Sequence, residues 1–183
     1  PENVVTRAEA AKLVISALGL SDQAKGSTAS FTDLANAKWA EGYIGYAESL
    51  GILEGDGDGK FRPADPVTYN EFAAIMVRAL GYTDESLQGS YPAAHMAKAN
   101  ALGIMDDITG AGGANGANRG DCAIMLYNNL TNAIGTTDKD GKWTSNANNG
   151  EPDDTMMDRL GATPLSTDKN GVAQADVVTL DNA

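Results

Sequence analysis

The chain has 183 residues, of which 42% are hydrophobic, and it carries a formal net charge of −12 with a pI near 4.3. This is enough for one compact domain or two small ones. The acidic balance argues against a nucleic-acid partner, which requires a basic surface, and against electrostatic binding to anionic lipid. No apolar run reaches the length of a membrane span, so no membrane insertion is expected.

The first predicted helix begins after Thr6, which lies three residues before Glu9. This is the spacing of a capping box, in which the threonine hydroxyl accepts from a first-turn amide and the glutamate accepts from the amide of the cap residue. Apolar residues then recur on one helix face and end at a glycine suited to a C-cap: Ala10, Leu13, Val14, Ala17, Leu18 and Gly19.

The same pattern occurs twice more, which identifies an internal repeat. At an offset of 62 residues, Thr68 and Glu71 repeat the capping box, and at an offset of 112, Asn118 and Asp121 form a weaker version of it. The apolar positions of these copies are Phe72, Ile75, Met76, Ala79 and Leu80, then Cys122, Met125, Leu126, Asn129 and Leu130. Cys122, the single cysteine, is therefore predicted to be a core residue rather than a nucleophile.

A second type of helix precedes the second and third capped helices. It is predicted over about residues 39–50 and, at an offset of 52, over residues 91–102. The predicted buried face of its first copy comprises Trp39, Tyr43, Ile44, Ala47 and Leu50. His95, the only histidine, takes the place of Tyr43 and is predicted to be structural, and one histidine with one cysteine cannot form a usual zinc site.

A glycine-rich loop at residues 55–63 connects the two helix types. Phe61 is predicted to enter the core, so that Phe61→Ala should cost about 3–5 kcal/mol. Asp56 and Asp58 resemble the start of a calcium loop, but the glycine at its sixth position and the glutamate at its twelfth are missing, and no metal site is predicted. The corresponding loop of the third copy, which contains residues 110–116, lacks an aromatic residue and is expected to be looser.

The repeat pattern ends near residue 135. Residues 136–155 are rich in Asn, Asp, Gly, Thr and Lys, which is typical of a loop or linker, while a short helical turn is expected from Met156 and a strand at residues 177–180. The predicted organisation is the C-terminal half of a first repeat at 1–20, a second repeat at 31–82, a third, degenerate repeat at 90–130, and a tail at 136–183 that leads to a further domain. Because the pattern begins in mid-repeat, a first long helix is expected upstream.

The order of these elements resembles the S-layer homology (SLH) domain of bacterial cell-surface proteins. The resemblance covers residues 1–130 and rests on the following elements in sequence: Phe31-x-Asp33, Trp39-Ala40, Tyr43-Ile44, Gly51-Ile52, a Gly/Asp loop, Phe61-x-Pro63 and the Thr-Arg-Ala-Glu motif, which is intact at residues 6–9. The second copy has Tyr69-Asn70 in place of Arg-Ala, and the third keeps Arg119 but continues with Gly120 and Asp121.

The resemblance implies a mainly α fold: a repeat-built helical bundle in the form of a pseudo-threefold spindle, here with a truncated first repeat and an irregular C-terminal tail. It implies a non-enzymatic, cofactor-free role outside the cell, at the bacterial cell wall. That role is the noncovalent anchoring of a secreted surface protein through secondary cell-wall polysaccharide, often capped by a pyruvylated sugar, which is bound in grooves between the repeats.

Four glycan-binding residues follow from the resemblance. Arg7 and Arg119 are expected to bind the carboxylate of the acidic cap, because a guanidinium matches a carboxylate bidentately; the alternatives are a solvated arginine or an internal ion pair. Trp39 is either a platform for a sugar face or a core residue. Asp33 either orients a groove arginine or caps the helix near Trp39. On this interpretation Arg7→Ala reduces binding with little loss of stability.

Two other functions remain open. The degenerate motifs are compatible with a structural module that has lost glycan binding and instead self-associates or packs against a partner in a surface layer or filament. Paired acids at Asp106-Asp107 and Asp153-Asp154 would serve a glycan-active enzyme if they faced a common cleft, but solvated loop acids explain them as well.

Overall fold

A computed structural model describes residues 2–87, 89–109, 113–147 and 154–161. Within these residues the fold is mainly α-helical, with one short 3₁₀ helix and one small hairpin. The α-helices are α1 (Arg7–Ala17), α2 (Ser21–Ala24), α3 (Glu41–Ser49), α4 (Tyr69–Ala79), α5 (Ala93–Ala101), α6 (Arg119–Asn129) and α7 (Met156–Arg159). The 3₁₀ helix is Ala35–Ala40, and the strands are β1 (Gly135–Thr137) and β2 (Trp143–Ser145). Across the described ranges, no helix is both long and apolar enough to cross a membrane.

The three capped helices begin where the sequence predicts. Thr6 and Thr68 form complete capping boxes with Glu9 and Glu71 at the starts of α1 and α4. Asn118 caps α6 by accepting a hydrogen bond from the amide of Asp121 at 2.8 Å. The shared start signal therefore produces the same local structure in all three copies.

The segments before these helices are joined in a closed cycle of backbone hydrogen bonds. Val5 donates to the carbonyl of Ala117 at 2.9 Å, Ala117 donates to that of Val67 at 2.8 Å, and Val67 donates to that of Val5 at 2.8 Å. These three residues occupy the same position in each copy, and all are buried. Because each copy supplies one donor and one acceptor, the buried amides and carbonyls are satisfied only when all three copies are present.

The helices pack in pairs around one apolar core. Helix α1 lies against α3 and α4, while α4 also lies against α5 and α6. Phe61 and Phe72 are fully buried, and Cys122 is 1% exposed, which confirms their predicted core positions. Burial, together with the nearby Asp121 carboxylate, raises the pKa of the Cys122 thiol to about 12, so this cysteine stays protonated at neutral pH.

The predicted buried face of the helix at residues 39–50 is only partly correct. Ile44 and Ala47 are fully buried, but Trp39 is 54% exposed and Leu50 is also exposed. The chain is in 3₁₀ conformation up to Ala40, and Ala37 departs from helical geometry with φ −128° and ψ 31°. A single 3.6-residue period therefore does not run from Trp39 into α3, and the indole is turned outward.

The prediction of an irregular tail from residue 136 is wrong for residues 136–145, which form a hairpin with Gly135. Strands β1 and β2 pair antiparallel, with Gly135 opposite Ser145, and the hairpin packs against the end of α4. Trp143 stacks on Tyr82 with ring centroids 4.7 Å apart, and its Nε1 donates to the carbonyl of Leu80 at 2.9 Å. Two three-residue strands carry too few alternating residues to be distinguished from a polar linker in the sequence.

Glycine at position 81 allows this hairpin to approach. Gly81 has a φ of +85°, and a β-carbon at this position would lie 1.9 Å from the carbonyl oxygen of Gly135.

Further along, α7 confirms the predicted helical turn: Thr155 caps it, and Met156 is fully buried. The strand predicted at 177–180 and part of the third-copy loop, residues 110–112, lie outside the described residues.

Candidate functional site

The first residue of each capped helix contacts the third residue of a capped helix in another copy. Arg7 forms an ion pair with Glu71, and Arg119 forms one with Glu9. At the remaining position Tyr69 donates its hydroxyl to the carboxylate of Asp121. These contacts form a second closed cycle, in which each copy presents a donor to one neighbour and a carboxylate to the other. They join side chains that are 52 to 110 residues apart in sequence.

Arg7 is held within the scaffold. Its side chain is 12% exposed, Nε donates to the carbonyl of Phe61 at 2.8 Å, and Nη2 donates to that of Glu54 at 3.1 Å. The guanidinium also lies over the Phe61 ring, 4.8 Å from its centroid. With Glu71 on Nη1, all three guanidinium nitrogens are engaged, which is the internal ion pair considered above. The expectation that Arg7→Ala costs little stability is not supported by this environment.

Arg119 has a more open environment. Its side chain is 55% exposed, and within the described residues its polar contact is made by Nη2 to Oε1 of Glu9. The other oxygen of Glu9, Oε2, accepts from the amide of Thr6 at 2.9 Å as part of the helix cap. Glu9 is thereby fixed in place and holds Arg119 at one nitrogen, while the rest of the guanidinium faces outward.

Arg119 and Trp39 line one groove, which we call the Trp39 groove. Its volume is about 480 Å³, and the groove lies between α1, α6 and the 3₁₀ helix. The lining residues are Val5, Glu9, Lys12, Leu13, Ser16, Trp39, Arg119, Ala123 and Leu126. An exposed indole and an exposed guanidinium therefore border the same concave surface, and Lys12 of α1 also lines it.

A second groove occupies the corresponding place in the next copy, and we call it the Tyr91 groove. Its volume is about 300 Å³. Tyr91, 47% exposed, stands at the repeat position of Trp39, and Arg7 stands at that of Arg119. The other lining residues are Ile52, Leu53, Glu54, Gly55, Asp56, Glu71, Ala74, Ile75, Arg78 and Asp84.

The two grooves differ in charge. The Trp39 groove is lined by two cationic side chains, Lys12 and Arg119, and by one acid, Glu9. Four acids and two arginines line the Tyr91 groove. Both arginines of that groove already bind groups of the protein itself. Arg7 has the contacts described above, and Arg78 is 9% exposed, with its Nη2 3.2 Å from Glu54 and 3.1 Å from Asp84. The Trp39 groove is therefore the one suited to an anionic ligand.

Glu9 is ionised in this arrangement. Burial by itself raises the pKa of the Glu9 carboxyl. The hydrogen bond from the Thr6 amide and the charge of Arg119 together lower it by more than burial raises it, so that the net pKa lies below its ordinary value. The Glu9–Arg119 contact is consequently an ion pair at neutral pH, and a ligand carboxylate at Arg119 would share the guanidinium with Glu9.

Asp33 fixes the loop that supports Arg7. Its Oδ1 accepts from the amide of Phe61 at 3.0 Å and its Oδ2 from the amide of Arg62 at 2.8 Å. Arg62 adopts a φ of 56°, so this carboxylate stabilises a left-handed turn. The 3₁₀ helix has no side-chain cap, which means that Asp33 does not cap the helix near Trp39. Asp33 orients Arg7 indirectly, because the Phe61 carbonyl is the acceptor for Arg7 Nε.

The loop acids at residues 56 and 58 are paired with neighbouring cations. Asp56 contacts Nε of Arg62 at 2.8 Å, and Asp58 contacts Nζ of Lys60 at 3.6 Å. No cluster of three or more metal-ligating side chains occurs in the part of the chain that the structure describes.

Two groove residues, Lys12 and Tyr91, were missed by sequence reasoning. Tyr91 could have been found from the repeat, since it lies 52 residues after Trp39, the same offset that relates the two helices, whereas Lys12 has uncharged counterparts at Ala74 and Ile124. For Trp39 the sequence leaves two alternatives, a sugar platform and a core residue, and its predicted place on the buried helix face favours the core residue.

The described residues are mainly helical, and two cycles of contacts join the three capped helices. Residues 30–73 match the family model described as the S-layer homology domain. The chain therefore contains an S-layer homology domain, as the order of its motifs predicts.

Relatives extend this similarity over most of the repeat region. The chain is 39% identical over 131 residues to the middle cell wall protein of Brevibacillus brevis and 33% identical over 135 residues to the surface layer protein of Brevibacillus choshinensis. These matches cover 70% and 73% of this chain but 12% of each relative. A cellulosome-anchoring protein of Acetivibrio thermocellus is 35% identical over 92 residues, which are 49% of this chain and 21% of that protein.

These relatives are proteins of the bacterial cell wall and cell surface, and the chain is accordingly an extracellular, cell-surface module. The comparisons support a role in cell-surface anchoring in general.

Proposed function

We propose that this chain anchors a secreted surface protein noncovalently to the bacterial cell wall by binding an acidic secondary cell-wall polysaccharide in the Trp39 groove. The observation that carries the proposal is the pairing of an exposed indole, Trp39, with an exposed guanidinium, Arg119, on one groove. The activity is binding alone, without catalysis or a cofactor.

The two side chains supply complementary interactions. A flat aromatic ring covers the apolar face of a sugar, as aromatic residues do where one side of a contact is apolar and the other is wet. A guanidinium binds a carboxylate, such as that of a pyruvylated sugar, with paired hydrogen bonds. Lys12 adds a second positive charge to the lining of the groove. A capped terminal sugar therefore finds a platform and a carboxylate site within one cavity.

The Tyr91 groove is less suited to this ligand. Its arginines are bound to carbonyls and carboxylates of the scaffold, and four lining acids would repel an anionic sugar. In our proposal Arg119 and Trp39 contact the glycan, while Arg7 and Asp33 support it indirectly by holding the scaffold between the copies.

The pseudo-threefold spindle of this fold family is the arrangement we propose for the three copies. The hydrogen-bond cycle through Val5, Val67 and Ala117 supports it, because three equivalent positions are joined head to tail. Residues 1–20, 31–82 and 90–130 would then contribute the capped helices of three repeats of one unit.

The decisive experiment is isothermal titration of purified wall polysaccharide, before and after chemical removal of its acidic caps. Binding is expected only to the capped polymer, and Trp39→Ala and Arg119→Gln should each weaken it at least about tenfold, the loss expected for a central aromatic or arginine contact. Arg62→Gln is the matched control, since Arg62 is 52% exposed and ion-paired like Arg119 but lies outside the groove. Tyr127→Ala, at an exposed aromatic residue that does not line this groove, is the control for Trp39.

Equal binding of capped and decapped polymer would rule out carboxylate recognition. No binding of either polymer by folded protein would overturn the proposal and direct attention to self-association, which sedimentation of the same sample would detect.

A further inference from the structure

Trp39 borders a second depression on its other side. This depression, which we call the lysine depression, has a volume of about 300 Å³ and lies between α2 and the start of α3. Its lining residues are Ser21, Ala24, Lys25, Gly26, Ser27, Lys38, Trp39, Glu41, Gly42 and Tyr43. The exposed indole is thus the shared wall between the Trp39 groove and the lysine depression.

Beside this depression, α2 and α3 approach each other at a glycine, Gly42. A β-carbon on Gly42 would lie 2.4 Å from the carbonyl oxygen of Ala24, which no side chain could occupy. The backbone that follows α2 therefore runs directly beside α3, and the side chains of Lys25 and Lys38 stand at the rim. Tyr43 lies beside this rim, and its ring centroid is 5.9 Å from the ammonium nitrogen of Lys12, a lining residue of the Trp39 groove.

Positive charge is concentrated around Trp39. The two cavities that share the indole are lined by four cationic side chains and two acids, although the whole chain has 13 basic and 25 acidic residues. Lys25 and Lys38 are 78% and 67% exposed, and among the described residues they pair with acids three positions away in sequence, Asp22 at 2.5 Å and Glu41 at 2.9 Å. Exposed ion pairs of this kind contribute little to the stability of the fold, so each lysine can exchange its carboxylate partner for a ligand anion.

We propose that the lysine depression is a second subsite, which binds a negatively charged unit of the same polysaccharide next to the one held in the Trp39 groove. This inference rests on the proposed function and specifies its ligand further: the anchor recognises an acidic chain of at least two charged or substituted units that crosses Trp39. Lysine suits this subsite because its ammonium is a flexible point charge that accepts a carboxylate or phosphate in several orientations.

The subsite predicts that affinity depends on ligand length. We would titrate the intact chain with two fragments of the wall polysaccharide, the single capped terminal sugar and an oligosaccharide of several units, at low salt. The double variant Lys25→Gln/Lys38→Gln should bind the oligosaccharide about three- to tenfold more weakly, the combined effect of two exposed charge contacts, and should bind the single sugar as the wild type does. The difference should shrink as salt is raised.

Lys60→Gln/Lys139→Gln is the matched control, because these lysines are also exposed and paired with nearby acids but line neither cavity. Unchanged oligosaccharide affinity in Lys25→Gln/Lys38→Gln would overturn the subsite, and so would an equal loss for both fragments or for both double variants. The two proposals fail differently. If the wild type binds neither fragment, the anchoring function fails; if binding depends on Trp39 but not on Lys25 and Lys38, only the subsite fails.

Discussion

Tyr69 and Asp121 form a buried counterpart of the two arginine–glutamate pairs in the repeat, in which a neutral hydroxyl takes the place of the guanidinium. Tyr69 is 2% exposed and Asp121 is 4% exposed, and the hydroxyl donates to the carboxylate at the position where the other copies place ion pairs. Asn118 completes the group, with Nδ2 donating to Asp121 at 2.9 Å. The loss of the arginine from the second motif therefore leaves the cycle of contacts closed.

Tyr69→Phe should lower the free energy of unfolding by about 1–3 kcal/mol. The substitution removes a buried hydrogen bond to the Asp121 carboxylate, which keeps only its side-chain donor from Asn118, and hydrogen bonds to carboxylates are stronger than those between neutral groups. The measurement is urea unfolding followed by circular dichroism. Tyr127→Phe, at a tyrosine that is 73% exposed, should change stability by less than about 0.5 kcal/mol. Equal stabilities for the two variants would show that the Tyr69–Asp121 contact does not stabilise the fold.

Arg7 and Arg119 occupy the same repeat position and should respond differently to alanine substitution. Arg7→Ala should cost about 2–3 kcal/mol, because it removes two hydrogen bonds to carbonyls, the contact with the Phe61 ring and the partner of Glu71. Arg119→Ala removes one exposed ion pair and should cost less than about 1 kcal/mol.

The same two variants separate stability from binding. In our proposal Arg7→Ala retains glycan binding in its folded fraction, whereas Arg119→Ala loses it. Thermal unfolding and titration of each variant test both statements. If Arg7→Ala abolished binding at a temperature where it is fully folded, the glycan contact would have to be reassigned to Arg7.

Local signals explain why much of the fold could be predicted. Thr6 with Glu9 and Thr68 with Glu71 determine helix starts through contacts within one turn, so the sequence contains all that is needed. Phe61 and Cys122 were placed in the core by comparison of repeat positions. These predictions depend on residues a few positions apart or on an offset that can be read directly.

The remaining features depend on contacts between distant residues or on changes of backbone geometry. The Arg119–Glu9 pair spans 110 residues, and only the closed arrangement of the three copies brings its members together. The exposed Trp39 lies in a 3₁₀ segment that precedes α3, and the periodicity of apolar residues does not predict this change of helix type. The hairpin at residues 135–145 is held by one tryptophan and a glycine contact rather than by an alternating pattern.

Trp143→Ala should show that the hairpin belongs to the cooperative fold. The substitution removes the stack on Tyr82 and the hydrogen bond to the Leu80 carbonyl, and we expect a loss of about 1–3 kcal/mol. Lys139→Ala, in the same hairpin but 89% exposed, is the control and should be neutral. Unchanged unfolding in Trp143→Ala would indicate that residues 135–145 contribute nothing to the stability of the helices.

His95 should make the protein sensitive to mild acid. It is 1% exposed, and neither ring nitrogen has a well-aligned hydrogen-bond partner among the described residues, although Nε2 lies 3.2 Å from Oδ1 of Asp84. Burial lowers the pKa of His95 below its ordinary value of 6.5, and the charge of Arg78 lowers it further, which outweighs the attraction of Asp84. The folded state therefore favours the neutral ring.

The sign of the effect follows from this depressed pKa. Above pH 6.5 the ring is neutral in both states and the stability is fully present; as the pH falls, the unfolded chain binds a proton that the folded chain resists, and stability is lost down to the folded pKa. Urea unfolding between pH 7 and pH 5, a range in which ordinary carboxylates remain largely ionised, should show a decline in the wild type that is absent in His95→Phe and in His95→Gln. The readout is the slope of the unfolding free energy against pH, and a change in absolute stability caused by repacking around the substituted residue does not alter this slope. A wild-type profile as flat as those of both variants would mean that His95 can take up a proton in the folded state without cost.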